Sequence, residues 1–129
     1  MERFLLICLG GAIGTGARYL TAIAAARWLG VEFPYGTLMV NLSGAFMVGL
    51  VQQLGTEAGV ISGTTRLFLA TGMMGGLTTY SAFSYETVRL MESGAWHAAW
   101  INVVVTTAAC LGLCFLGIAA GRGLVLWRG

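Results

Sequence analysis

Of 129 residues, 57% are hydrophobic and only 9% charged, with a formal net charge of +2 and a mean hydropathy of +0.83. An ordinary soluble domain carries about 25% charged residues, so seven Arg and five Glu are too few to coat a solvated exterior. That argues against a soluble enzyme, a disordered linker and a nucleic-acid binder; the chain reads as an all-α integral membrane protein with no catalytic role.

The first predicted span covers about residues 4–26 and is interrupted only by Arg18. Its start, Met1-Glu2-Arg3 before an apolar run and Ala22-Ile23-Ala24, has the outline of a signal peptide. Arg18 breaks that apolar region and Gly10 to Gly16 weaken it, so an uncleaved span is expected. The next three spans follow from the spacing of charges. Between Glu32 and Glu57 lie 24 uncharged residues, between Arg66 and Glu86 lie 19, and between Glu92 and Arg122 lie 29. About 20 residues of helix cross a hydrocarbon core of about 30 Å, so each stretch spans once, at about 35–55, 66–91 and 96–120. Helices are expected because every backbone polar group in lipid must find its partner within the segment. The connections are short and hold Gly30 and Pro34, then Gly55, Gly59 and Gly63, then Gly94. The result is a single four-helix transmembrane domain over residues 1–129.

Four spans place Arg3, Arg66, Arg122 and Arg128 on one side of the bilayer and Arg27 and Arg89 on the other, with Arg18 inside a span. The positive-inside rule reads orientation from such differences, and this one is small. Insertion in both orientations, with antiparallel pairing, is one expectation; a fixed orientation with both termini cytoplasmic is the other.

Twenty glycines include three GxxxG pairs, Gly10/Gly14, Gly72/Gly76 and Gly117/Gly121. Such spacing lets helix backbones approach closely in membranes, which suffices to explain the first and last pairs. Cys8, Cys110 and Cys114 form no CxxC pair; the sequence has no Asp and one His, so the cysteines read as small packing residues. Four short spans enclose little interior, and a pathway would form most naturally where protomers meet.

The third span carries the chemistry. Its double glycine, Gly75-Gly76, runs through Leu77 into Thr78-Thr79, a plausible helix break at mid-membrane depth. Non-helical backbone there is tolerated only where protein buries it or it lines a cavity, and freed carbonyls can coordinate a cation. Beyond it, Tyr80 and Phe83 share a face, and Thr79, Ser81 and Ser84 supply hydroxyls. The plainer alternative for those hydroxyls is back-bonding to their own helix. In the second span, Asn41 offers amide donors and an acceptor, either as glue between helices or as a replacement for water around a permeating anion. Arg18 is costly within a span and is expected to snorkel, pair with carbonyls or attract anions.

Three motifs together resemble the Fluc (CrcB) fluoride channels. They are Gly10-Gly11-x-x-Gly14-x-x-x-Arg18-Tyr19, Gly36-Thr37-x-x-Val40-Asn41, and the run from Gly75 to Phe83 followed by Ser84-x-Glu86. The resemblance covers nearly the whole chain and is most specific in the third span. It implies an antiparallel, dual-topology homodimer in the cell (inner or plasma) membrane, with two pores for passive fluoride export. It also implies a structural sodium ion at the dimer centre, held by the backbone carbonyls of Gly75 and Thr78. By the same resemblance Asn41 is the pore amide, Phe83 a pore phenylalanine, and Ser81 and Ser84 belong to the polar track or its neighbourhood. Arg18, Thr37 and Glu86 match positions near the aqueous entrances. Two departures stand out: Tyr80 replaces the other pore phenylalanine, and Ala82 a threonine.

The residues suit fluoride on chemical grounds as well. A small, strongly hydrated anion needs close donors without a fixed charge that would trap it, and aromatic rings present a positive edge. Hydroxyls, an amide and the rings of Tyr80 and Phe83 meet that description. Two other classes are weighed against it. A small multidrug exporter would need a membrane-embedded acid in the first span, which has none. A membrane anchor or assembly subunit explains the glycine pairs but not a broken helix joined to aromatics and hydroxyls.

Overall fold

The computed structural model describes residues 1–129, all of whose regular structure is helical. Helix α1 runs Glu2–Leu29, with Glu2 in its first turn and Arg27 in its last, the charge placement that the helix dipole favours. It stops at Gly30, whose φ of 89° is open to glycine at little cost. Helix α2, Tyr35–Gln52, follows Pro34 and continues through a π-helical turn, Gln53–Glu57. Next comes a helical rod over 63–77, made of α3 (Gly63–Arg66), a π-helical stretch (Leu67–Met74) and α4 (Gly75–Leu77). After two extended residues, Thr78 and Thr79, the chain resumes as α5, Tyr80–Glu92, and ends in α6, Trp96–Arg128.

Three helices are long and apolar enough to cross a membrane: α1, α2 with its π turn, and α6. The stretch read as a third span is divided between the rod and α5, with the interruption at Thr78 and Thr79. The double glycine stays helical, and the two threonines after it leave the helix, with φ/ψ of −79°/154° and −152°/113°. β-Branched side chains favour that extended conformation. The outer helices also outrun the charge-based bounds. At 33 residues α6 is about 50 Å long and continues past Arg122. A charge limits burial in lipid but does not stop a helix, since Arg is a good helix former.

Packing depends on glycine. Gly10 and Gly14 of α1 face Gly72, Met73 and Leu77, while Gly72 and Gly76 face Ile7, Gly10 and Gly11, so two GxxxG pairs interlock. The middle pair is therefore a packing seam like the other two. On the far side, Gly49 of α2 lies against the carbonyl of Cys114, and Gly117 and Gly121 of α6 against Phe46, Leu50 and Gln53. Only 19 of 129 residues are buried, and large apolar side chains such as Phe4, Leu20, Leu111 and Phe115 point outward. That inverted distribution suits a lipid surround. Trp28, Trp96 and Trp127 stand exposed at helix ends, where amphipathic rings favour the membrane interface.

Candidate functional site

The interruption at Thr78–Thr79 is held by side chains. Asn41 donates from Nδ2 to the Thr79 carbonyl at 3.1 Å and accepts the Thr79 N–H on Oδ1 at 2.8 Å. One donor and one acceptor on Thr79 fix which way the amide points. In a continuous helix the Thr79 N–H would bond the carbonyl of Gly75; Asn41 has taken it. The Ala82 N–H, which would bond Thr78, goes to Thr79 Oγ1 at 3.1 Å as an N-cap. The carbonyls of Gly75 and Thr78 are thus both released from their usual i+4 donors. Thr78 fills the last turn by bonding Oγ1 to the Met74 carbonyl at 2.9 Å. Released carbonyls are hard oxygen ligands, and Gly75 is exposed, with open space where a Cβ would stand. The donor set at Gly75 and Thr78 fits a small hard cation such as sodium.

Three cavities lead in series to this point, the inner two touching it. An outer mouth of about 460 Å³ lies over Glu32, Tyr35, Thr37, Glu86 and Arg89. Thr37 and Glu86 also line a chamber of about 290 Å³ that contains Arg18, Thr15 and Thr79. Thr79 in turn belongs to an open groove of about 490 Å³, lined by Asn41, Tyr80, Phe83, Thr106, Cys110 and Cys114. Each cavity shares wall residues with the next, and the Asn41–Thr79 pair stands between chamber and groove.

In the chamber, Thr37 donates to Glu86 Oε1 at 2.9 Å. Glu86 Oε2 and Arg18 Nε are shielded from solvent without a hydrogen-bond partner, and the two residues form no ion pair. Both polar atoms need something to bond in a chamber of this size. In the groove, Phe83 is 8% exposed and Tyr80 is 80% exposed, with ring centroids 5.5 Å apart and planes tilted by 53°. The Phe83 ring is packed in place, whereas Tyr80 lies on the outer face of the chain.

The serines fall outside both chamber and groove. Ser84 Oγ donates to the Tyr80 carbonyl at 2.9 Å, the back-bonded arrangement, and exposed Ser81 reaches Thr79 Oγ1 at 3.3 Å. The sequence reading passes over Asn102, which is 1% exposed. Its Nδ2 donates to Thr87 Oγ1 at 2.9 Å, Thr87 donates to the Phe83 carbonyl at 2.7 Å, and Thr106 donates to Asn102 Oδ1 at 3.3 Å. This ladder ties the first turns of α5 to α6. The available signal was an amide inside the longest uncharged stretch, where lipid offers no partner.

The family described as CrcB-like protein, Camphor Resistance (CrcB) matches residues 5–118. The chain is 46% identical over 127 residues to the fluoride-specific ion channel FluC of Anaeromyxobacter dehalogenans, an alignment covering 98% of each protein. Against the protein of the same name from Sorangium cellulosum it is 45% identical over 125 residues, covering 97% of this chain and 98% of the relative. The Geobacter sp. protein, also a fluoride-specific ion channel FluC, is 44% identical over 124 residues, 96% of this chain and 100% of the relative. A family match over residues 5–118 and this likeness along nearly the full chain leave one conclusion: the protein belongs to the CrcB-like family.

Proposed function

We propose that this multi-pass membrane protein is a fluoride-selective channel that lets fluoride leave the cell passively. The observation that carries the proposal is the series of three cavities, the outer two joined through Thr37 and Glu86 and the inner two through Thr79, which Asn41 holds in place. The names of the relatives give the ion. Arg18 draws anions to the chamber from an aqueous end, and the Thr37–Glu86 pair holds its wall. Past the Asn41–Thr79 pair, the second Nδ2 proton of Asn41 and the ring edge of Phe83 take over from water. Only neutral donors line the groove, so the ion is bound weakly enough to leave.

The groove is open along one side and Tyr80 faces outward, which supports completion of each pore by a second copy. An antiparallel homodimer with two pores meets that need, and the small Arg imbalance supports insertion both ways. Four membrane-crossing segments per chain result if the rod and α5 together make the third, with the Thr78–Thr79 interruption at mid-membrane depth. A sodium ion held between protomers by the carbonyls of Gly75 and Thr78 would supply fixed positive charge that offsets their dipoles.

Protein reconstituted in potassium fluoride liposomes should release fluoride when potassium is made permeable, without ATP or a proton gradient, and should retain chloride in the parallel experiment. Equal chloride release, or neither ion released by a folded dimer, rejects the channel. A C-terminal tag should be accessible from both sides of the membrane in comparable amounts; one-sided accessibility rejects dual topology.

A further inference from the structure

We propose that Cys110 and Cys114 form a binding site for a soft, thiophilic metal cation, and that its occupancy closes the ion pathway; the closing step rests on the channel reading. The two cysteines are one turn apart on α6, a spacing that sets Cβ atoms about 5–6 Å apart on a shared face. Neither is in a disulfide, both are partly accessible, and both line the groove that holds Asn41, Thr79 and Phe83. The third cysteine, Cys8, is exposed on α1 and lies outside that groove.

The ligand follows from the donor set. No cluster of three His, Cys, Asp or Glu side chains exists in the protein, so an ion demanding a four-ligand protein cage, such as structural zinc, is not served. Two thiolates select a soft cation able to work with two ligands. Charge narrows the choice further. Each thiol gives up its proton and its sulfur donates an electron pair to the metal, so one divalent ion binds with release of two protons and leaves a neutral bis-thiolate. A neutral complex avoids the desolvation penalty that a net charge would meet in an apolar groove. Mercury(II) is the probe with this charge and coordination preference.

The bound metal would occupy the groove that Asn41 and Phe83 also line, on the proposed path of the permeating ion. Nearby, Gly49 of α2 is pressed on the backbone of Cys114, so this part of α6 cannot easily swing aside to make room.

The test uses full-length protein in liposomes with Cys8→Ser as the background, leaving two thiols per chain. Mercury(II) should consume both thiols at one metal per chain, give a thiolate-to-metal charge-transfer band, and stop fluoride release until excess dithiol is added. Cys110→Ala and Cys114→Ala should each raise the half-blocking concentration by about 100-fold, the loss expected when two linked contacts become one. Two metals per chain, or an unshifted block in the single variants, overturns the shared site. Full occupancy with undiminished flux overturns its role in closing the pathway. A chain that moves no fluoride would reveal itself in untreated liposomes, and metal stoichiometry would still decide the site.

Discussion

Where α1 meets the 63–77 rod, glycines bring two backbones together; a few residues farther on, Asn41 and Thr79 bring a side chain to a backbone that has left its helix. The first region leaves no volume between the helices. In the second, an amide occupies the place of helical partners, carbonyls are released, and cavities open on both sides. Closely spaced small residues thus give packing where both backbones remain helical. A pathway becomes possible only where side chains satisfy the backbone in the helix's stead.

The largest effect should come from filling the glycine seam. A methyl at Gly14 would collide with the Met73 carbonyl and lie 2.8 Å from Leu77 N, both main-chain atoms with little freedom to yield. Gly14→Ala should therefore destabilise the fold by about 1–3 kcal/mol or more, and Gly14→Leu should abolish a monodisperse folded species in size-exclusion chromatography. A well-folded Gly14→Leu protein would mean the seam is looser than its geometry.

Next in size is the loss of function at the other region. Asn41→Asp keeps an acceptor for the Thr79 N–H but loses the donor to its carbonyl and places negative charge beside the proposed anion route. Fluoride flux should fall by at least about 100-fold, consistent with charge repulsion of a few kcal/mol at low dielectric, while the protein stays folded. Unchanged flux would reduce Asn41 to a packing device.

The aromatic pair sharpens the contrast further. Phe83→Ile and Tyr80→Ile remove a ring quadrupole and should reduce flux strongly, with Phe83 the more severe because it is the buried member. Tyr80→Phe removes only an oxygen from a largely exposed ring and should conduct. If Tyr80→Phe is nearly inactive and Ala82→Thr partly rescues it, the hydroxyl rather than the ring edge serves the ion. Comparative flux rates at equal content of folded protein distinguish the two.

The smallest effect belongs to a glycine outside the seam. Gly16 has open space where a Cβ would stand. Gly16→Ala should leave flux unchanged and stabilise the helix by no more than about 1 kcal/mol, read as a slight rise in Tm. Strong destabilisation would place Gly16 in a protomer–protomer contact.

Much of this was legible in the chain alone. Lipid tolerates few charges, so their spacing along the sequence marked the apolar helices, and the Gly-Gly-Leu-Thr-Thr run located the interruption to within a few residues. Helix ends were less legible, because α1 and α6 pass beyond the charges that bound their apolar stretches. Ser81 and Ser84 looked equivalent to Thr79 by residue type, yet only Thr79 lines the chamber and the groove. Asn102 carried one weak signal, an amide in an apolar run, and nothing to identify Thr87 or Thr106 as its partners.

By itself the sequence determined the membrane as solvent, helices as the form and the CrcB-like family. These follow from constraints that act along the chain: charge against lipid, backbone bonds within a segment, and contiguous motifs. Tertiary structure alone decided which groups meet. Asn41 and Thr79 are 38 positions apart and Thr37 and Glu86 are 49 apart. Whether a carbonyl keeps its helical partner or is released depends on a side chain from another helix arriving within about 3 Å. No local propensity sets that distance; the interlocked glycine seams do, by fixing how closely the helices approach.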